Sequence, residues 1–192
     1  MAPSTQKFAA TPSTFPDKNN PESYILIPST SSENRKYIPI GFFEKDTIAN
    51  NSCHIIPNGS LYHFGILTSA MHMAWVRNIC GRLKSDYRYS KDIVYNNFPW
   101  PEKPSAKHKT AIEKFAQEVL DARAQFPESS LADLYDPLTT PPVLLKAHQN
   151  LDKAVDTAYS TKTFTTETDR MEFLFALYEK YVAGMFAIKK KS

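Results

Sequence analysis

A short proline-containing run at residues 97–101 (NFPWP) divides the 192-residue chain into two unlike parts. Pro99 and Pro101 have no backbone N–H, so neither a helix nor a central strand continues through this run. Before it, short apolar segments separated by turn-forming residues are typical of strands. After it, apolar residues recur at helical spacing. The sequence therefore predicts an α+β fold, with a small mixed α/β unit followed by an α-helical bundle.

The first part contains four strand-like segments and one helix-like segment. Pro39 places the second strand at a sheet edge, because proline cannot donate to a ladder, and a turn at residues 57–60 (PNGS) ends the third strand. Helical spacing of apolar residues predicts a helix over residues 68–80, with Gly81 at its C-terminal cap. The expected strands are residues 24–27, 37–43, 53–56 and 93–95.

The second part contains several helix starts. Ser105 can cap a helix that runs to about residue 125, and Ser130 can cap a short helical turn. Pro141 is preset for a first helical turn, which predicts a helix that ends near residue 159. Thr166, with Asp169 three residues later, resembles a capping box before a last helix. The carboxylates of this part are expected at caps or exposed helical positions, so no acid–base pair is nominated.

Glycine is scarce, and its placement excludes several classes of site. No two of the five glycines are separated by a single residue, so the chain has neither a G-x-G dinucleotide loop nor a P-loop. No Asp or Glu has a Lys two positions later, which excludes a PD-(D/E)xK nuclease site. The G-x-S-x-G hydrolase elbow is also absent. Pro141 and Pro142 follow a threonine, so they do not match the (N/D)-P-P-aromatic loop of adenine methyltransferases.

The cysteines and the uncharged stretch both favour a soluble protein of a reducing compartment. Cys53 and Cys80 are too few for a disulfide framework in a chain of this length. With three histidines they lie one, nine, nine and eight residues apart, unlike the close ligand pairs of zinc sites. Residues 47–76 carry no Lys, Arg, Asp or Glu, but their His, Asn, Pro and Gly content is not that of a membrane span. We therefore expect a cytoplasmic protein with no metal and no membrane partner.

The positive charge is concentrated in one short segment. The formal net charge is only +3, yet the segment from Arg77 to Lys91 contains five basic residues and Asp86 as its one acidic residue, a local charge of +4. Such a cluster can steer a polyanion even when the total charge is modest.

Within this segment, residues 81–91 (GRLKSDYRYSK) interleave basic side chains with hydroxyls and tyrosines, and the loop at residues 29–36 (STSSENRK) has similar chemistry. Arg and Lys neutralise phosphates, hydroxyls add hydrogen bonds, and Arg can read guanine in a major groove. The alternative is that the charges are solvated and that Tyr87 and Tyr89 alternate into a core. The candidate DNA-binding residues are Arg35, Lys36, Arg77, Arg82, Lys84, Ser85, Tyr87, Arg88, Tyr89, Ser90 and Lys91.

Several of these segments resemble the target recognition domain of MmeI-like DNA methyltransferases, which are large single-chain type II restriction-modification proteins. The similarity is closest at residues 81–90 and 94–101, and the motifs occur in the family's order over about residues 22–181. Further matching segments are residues 27–42, 62–67, 71–75, 130–136, 147–148, 151–156 and 173–179.

The resemblance implies a division of the chain. Residues 24–101 would be part of a DNA target recognition domain and 102–188 a C-terminal helical domain. Outside them, composition predicts a mobile arm at residues 1–23, which are rich in Ser, Thr, Pro, Asn and Ala, and a basic tail at residues 189–192. In the family, a nuclease, a helical connector and an S-adenosylmethionine-dependent adenine-N6 methyltransferase precede this region. The missing motifs agree with the absence of these three domains. The first part of the recognition domain is also expected to be short or absent, which argues against site-specific DNA binding by this chain alone. We expect no catalytic residue and no cofactor in this chain, and as partners double-stranded DNA and a methyltransferase catalytic domain, in cis or in trans.

Three hypotheses follow. The first is a DNA-specificity module whose α/β part lies along the major groove, with the basic residues on phosphates and the loop at residues 29–36 near phosphates or base edges. The second is a protein-interaction scaffold with little DNA contact, in which Phe98, Trp100 and Tyr135 dock another subunit. The third, a stand-alone enzyme, is the least supported because the catalytic motifs are absent.

Overall fold

The computed structural model describes residues 21–189, with side chains described through residue 184. Most of the predicted mobile arm, residues 1–20, lies outside the described residues, and so do residues 190–192 of the predicted basic tail. In chain order the elements are β1 (Ser23–Pro28), β2 (Thr30–Ser31), β3 (Gly41–Glu44), β4 (Cys53–Pro57), α1 (Leu61–Leu67), α2 (Ala70–Ile79), β5 (Gly81–Leu83), β6 (Asp86–Arg88), a π-helical turn (Lys91–Tyr95), α3 (Ala106–Ala124), α4 (Leu131–Leu134), α5 (Pro142–Tyr159) and α6 (Glu167–Lys189). The predicted α+β class is confirmed.

Strand β1 is the centre of an antiparallel sheet with the order β3-β1-β4. Its Ile25 and Ile27 are buried, as expected for a central strand that faces a core. The strand predicted at residues 37–43 corresponds to β3. It lies at the sheet edge as predicted, but it is shorter than predicted, since only Gly41–Glu44 pairs with β1. The amide of Ile40 donates instead to the carbonyl of Ile38 (2.8 Å), in a tight turn around Pro39. The backbone of this segment is therefore bonded locally rather than to a neighbouring strand.

The segment between β4 and β5 differs from the prediction at both ends of the helix that was expected over residues 68–80. An additional helix, α1, precedes α2, and Ser69 caps α2 by accepting a hydrogen bond from the amide of His72 (3.5 Å). The predicted glycine cap is wrong. Cys80 takes an extended conformation at the end of α2, and Gly81 begins β5.

Residues 93–95 form part of a π-helical turn rather than the predicted strand. The amide of Asn96 donates to the carbonyl of Lys91 (2.8 Å), and the indole of Trp75 donates to the carbonyl of Val94 (3.0 Å). Because Trp75 and Val94 are both buried, this backbone hydrogen bond fixes the turn against α2.

Helices α3, α4 and α6 begin directly after the predicted caps, whereas α5 begins one residue later than predicted, at Pro142, with Pro141 as its N-cap. The hydroxyl of Ser105 accepts from the amide of His108 (3.2 Å) at the start of α3, and Ser130 forms a capping box with Asp133 before α4. Thr166 and Asp169 bond each other's amides in the same way before α6 (2.8 and 3.0 Å). Caps are local in sequence, which is why these starts are predictable.

One hydrophobic core extends across the proline run. It includes residues from Ile25 of β1 to Leu174 of α6, and α1 packs against α3 at Gly65. A Cβ at Gly65 would lie 2.7 Å from Cγ2 of Ile112, so the two helices approach more closely than a larger residue allows. The run at residues 97–101 therefore changes the type of secondary structure without dividing the core.

Polar side chains from the helices also reach into the first part. The guanidinium of Arg123, on α3, donates to the carbonyl of Ile40 (2.8 Å) and to the hydroxyl of Tyr135, which lies 2.6 Å from Nε2 of His148. Burial lowers the pKa of His148 well below its usual value, which keeps the ring neutral. The expectation that second-part carboxylates lie at caps or exposed positions is wrong for Asp152, which is half-buried and accepts a hydrogen bond from the hydroxyl of Tyr37 (2.7 Å).

Candidate nucleic-acid interface

The basic segment forms a β-hairpin, β5-β6, whose register pairs Leu83 with Asp86. Two residues, Lys84 and Ser85, make the connection, and Lys84 has a φ of 57°. A positive φ is unusual for a residue with a Cβ but is what tight hairpin turns require. Both connecting residues are exposed, so the hairpin presents a lysine and a hydroxyl at its tip.

The loop at residues 29–36 lies beside this hairpin. Strand β2 pairs with β6, with Thr30 opposite Arg88, and the amide of Tyr89 donates to the carbonyl of Ser29 (2.9 Å). The result is a three-stranded antiparallel sheet, β2-β6-β5, which we call the hairpin sheet. The structure thus brings together the two segments that the sequence analysis selected separately for their chemistry.

The two faces of the hairpin sheet differ. Side chains of opposed residues share a face, so Ser31, Tyr87 and Arg82 form one row, whereas Thr30 and Arg88 form another. In the first row, Ser31 and Tyr87 face the core and are each 3% exposed, whereas Arg82, on the edge strand β5, is exposed. In the second row, Thr30 and Arg88 are exposed.

Tyr87 and Tyr89 are therefore core residues. Tyr89 is also 3% exposed, and its hydroxyl lies 3.0 Å from Nε2 of the buried His72. The prediction that these two hydroxyls support phosphate contacts is corrected, because alternation along β6 turns both side chains inward. The alternative stated from the sequence, that they contribute to the core, is confirmed.

Two of the predicted arginines are held by other parts of the chain. Arg82 lies over the ring of Tyr87 (4.2 Å), donates to the carbonyl of Ser85 (2.9 Å) and pairs with Glu33 (3.5 Å). Arg77, at the end of α2, forms an ion pair with Glu167 and donates to the carbonyl of Lys36 (3.0 Å).

The remaining basic candidates are more accessible. Lys36, Lys84, Arg88 and Lys91 are exposed, and Arg35 is half-buried with a long contact to the hydroxyl of Ser31 (3.5 Å). Lys91 lies 3.6 Å from Asp92, but both side chains are about 70% exposed, and such surface pairs hold a side chain only weakly.

Of the two predicted serines, only Ser85 is exposed at the tip. The hydroxyl of Ser90 accepts a hydrogen bond from the amide of Ile93 (3.4 Å) and caps the π-helical turn, so it has a structural role in the fold.

Acidic residues from outside the segment lower the charge of this surface. Glu33 lies beside Arg82, and Glu167, from the last helix, lies beside Arg77. Sequence counting missed both, because each is distant along the chain from the arginine it pairs with. The local charge of +4 is therefore an upper value. The accessible positive charge lies at Lys84 of the hairpin tip, at Arg88 of β6, and at Lys36 and Lys91.

The described residues were also compared with the requirements of a metal site and of a membrane span. Within the described part of the chain, no three His, Cys, Asp or Glu side chains form a group that could hold a metal ion. No helix in that part is both long enough and apolar enough to cross a membrane. A Cβ at Gly41, Gly59 or Gly65 would lie 2.2, 2.6 or 2.7 Å from a packed side chain, so these glycines serve packing.

Comparison with known families accounts for the chain in two adjoining segments. Residues 1–102 match the model of the MmeI target recognition domain, and residues 104–186 match that of the MmeI C-terminal domain. This chain belongs to the MmeI family. The resemblance stated from the sequence motifs is confirmed.

Two relatives define what this MmeI-family chain is similar to. It is 45% identical over 177 residues to DNA methyltransferase A of Bacillus subtilis (strain 168). It is 48% identical to a solved structure of the Type IIL restriction-modification enzyme MmeI in complex with DNA, with a TM-score of 0.82 over 95% of this chain. The chain spans only 20% of the methyltransferase and 24% of the MmeI chain.

Proposed function

We propose that this chain is the DNA-specificity module of an adenine-N6 DNA methyltransferase or restriction-modification enzyme, and that the exposed row of the hairpin sheet faces duplex DNA. The observation that carries the proposal is the pairing of β2 with β6, which places two segments of similar DNA-binding chemistry on one surface. A 48% identical relative whose structure was solved with DNA supports it.

The geometry suggests how the contact is made. A two-stranded hairpin is narrow enough to approach a major groove, which is about 12 Å wide. Lys84 and Ser85 at the tip, with Arg88 and Thr30 along the exposed row, would lie against phosphates or base edges. Lys91, Lys36 and Arg35 flank this row and would extend the phosphate contacts.

Arg77, Arg82 and Ser90 have a different role in this proposal. Arg77 is paired with Glu167, and Arg82 contacts both Glu33 and the ring of Tyr87. The hydroxyl of Ser90 caps the π-helical turn. They would shape the surface rather than bind phosphate as their first partner.

Methyl transfer would take place in another part of the enzyme. The sequence has no G-x-G motif, and the relatives are four to five times longer than this chain. S-adenosylmethionine, the flipped adenine and any nuclease activity would therefore belong to a catalytic domain supplied in cis or in trans. This chain would position that domain on its DNA site.

The test is duplex binding across a salt series, with Lys84→Gln and Arg88→Gln as variants and Lys114→Gln, an exposed lysine of α3, as the matched control. Each lost phosphate contact is expected to lower the slope of log affinity against log salt by about 0.9. Binding whose salt slope is the same in the wild type, both hairpin variants and the control would exclude the hairpin as the contact surface.

The scaffold hypothesis needs a different surface from the one first named. Phe98 and Tyr135 are 4% and 3% exposed and are parts of the core, so they cannot dock a partner. Trp100, the third aromatic named, is half-buried and packs against that core. Leu138, between α4 and α5, is 94% exposed and is the more suitable contact for a catalytic domain. A Leu138→Ser variant that loses a co-purified methyltransferase domain while duplex binding is unchanged would favour this second function.

A further inference from the structure

The C-terminal end of the loop at residues 32–36, which we call loop 32–36, is bonded to Arg77 of α2, and it is connected to the C-terminal helices through Arg77 and Tyr37. The carbonyl of Lys36 accepts from Arg77 (3.0 Å), and Arg77 is in turn paired with Glu167 at the start of α6. One residue later, the hydroxyl of Tyr37 donates to Asp152 of α5 (2.7 Å).

These contacts fix the position of the backbone at the C-terminal end of loop 32–36. The ring of Tyr37 is stacked on His148 at 4.1 Å and is buried, so the residue after the loop has little freedom. Asp152 also accepts from the amide of Ala70 (2.7 Å), which ties the same carboxylate to the start of α2. Arg77 connects Glu167 and the loop carbonyl through two different nitrogens of one planar guanidinium group.

The other end of loop 32–36 is attached to the hairpin. The amide of Glu33 donates to Asp86 (3.4 Å), and the Glu33 carboxylate pairs with Arg82 (3.5 Å). The loop therefore spans from the hairpin sheet to the C-terminal helices, and the placement of Arg35 and Lys36 depends on both attachments.

We propose that Glu167 and Arg77 are positioning residues, through which the C-terminal helices set the place of loop 32–36 for DNA contact. This inference rests on the function proposed above. It gives Arg77, predicted from the sequence to bind DNA, an indirect role, and it gives the C-terminal domain a part in recognition beyond supporting the core.

The direction in which one substitution changes duplex affinity distinguishes the two possible roles of Arg77. Glu167→Gln removes the negative charge beside Arg77. If Arg77 binds phosphate directly, the substitution frees it and binding tightens. If Arg77 positions the loop, the substitution loosens the loop and binding weakens, by about threefold for a partly exposed ion pair. The salt slope falls by less than the roughly 0.9 expected for one lost phosphate contact, because the substitution removes no basic residue and only loosens the loop that carries Arg35 and Lys36.

Arg77→Lys provides the second variant. It keeps the charge but cannot hold Glu167 and the loop carbonyl with one planar group. We expect it to weaken binding about as much as Glu167→Gln, and the double variant to be no weaker than either single one, because both substitutions break the same connection. Glu172→Gln, on an exposed position of the same helix, controls for the loss of one acidic charge.

A measurement without DNA keeps this inference separate from the proposed function. Amide hydrogen exchange at residues 32–37 should be faster in Glu167→Gln and Arg77→Lys than in the wild type and Glu172→Gln, and unchanged in α3. If the wild type fails to bind a mixed-sequence duplex, the proposed function is wrong, and the exchange result alone still decides whether the helices position the loop. Tighter duplex binding by Glu167→Gln, or unchanged exchange at residues 32–37, would overturn the inference.

Discussion

The hairpin sheet and the bundle of α3 and α5 differ in how much of their side-chain surface is buried. Leu144, Leu151 and Val155 of α5 are completely buried, and α3 and α5 pack along their length. The hairpin sheet is thin, with most of one row of side chains in the core and the other row, including Arg88 and Thr30, in solvent. The bundle thus contributes stability, whereas the hairpin sheet contributes a surface of charge and hydroxyls. Substitutions in the two regions should therefore affect different measurements.

The largest effect is expected from Leu151→Ala. Leu151 is 0% exposed on α5, so its truncation removes buried methyl groups and leaves a cavity in the bundle. We expect the free energy of unfolding to fall by about 3 kcal/mol. Urea unfolding followed by circular dichroism checks this, and a loss below about 1 kcal/mol would mean that α5 does not form the core described.

The second-largest effect is expected in the pH dependence of the free energy of unfolding, to which the buried His72 contributes. Burial lowers the pKa of His72 from 6.5 to about 3. Below pH 6.5 the unfolded chain binds a proton that the folded chain excludes, so stability is present above that pH and is lost as the pH falls. The loss is about 1.4 kcal/mol per pH unit below pH 6 for this residue. Urea midpoints at pH 7 and 5 should differ less in a His72→Gln variant, and an equal pH dependence would show that His72 is protonated when folded.

A smaller effect is expected at a helix start. The hydroxyl of Ser105 accepts from the amide of His108 (3.2 Å), which satisfies one of the free amides of α3. Ser105→Ala should lower the free energy of unfolding by about 1 kcal/mol. Ser105→Asp, which keeps an acceptor at the same position, is the control and should remain near the wild type.

The smallest effect on stability is expected in the hairpin. Leu83 is 49% exposed on β5, and its exchange for Ser should change the free energy of unfolding by less than about 0.5 kcal/mol. Leu83 shares the exposed face with Arg88 but carries no charge, so the salt slope of duplex binding should remain at the wild-type value. If Leu83→Ser unfolded the chain as readily as Leu151→Ala, the division between a stabilising bundle and a binding surface would be wrong.

The same division explains how much the sequence could predict. The helix starts at Ser105, Ser130 and Thr166 are set by bonds within three residues, so local patterns predict them. The pairing of β2 with β6 joins residues far apart in the chain, and no local pattern encodes it. The π-helical turn depends on Trp75 holding the carbonyl of Val94, a tertiary contact that overrides the strand propensity of residues 93–95.

The candidate site divides in a similar way. The chemistry of the hairpin was visible in the sequence, because basic and hydroxyl side chains cluster at residues 81–91. Which of them are accessible was not, since the inward turn of Tyr87 and Tyr89 and the pairing of Arg77 with Glu167 depend on the register of the hairpin and on the last helix.

Amide hydrogen exchange with and without duplex DNA tests the central claim most directly. The account predicts that DNA slows exchange at residues 30–36 and 81–91, which together contain the hairpin sheet and its loop, and leaves α3 and α5 unchanged. Protection by DNA that is confined to α3 and α5, with residues 30–36 and 81–91 unaffected, would contradict it.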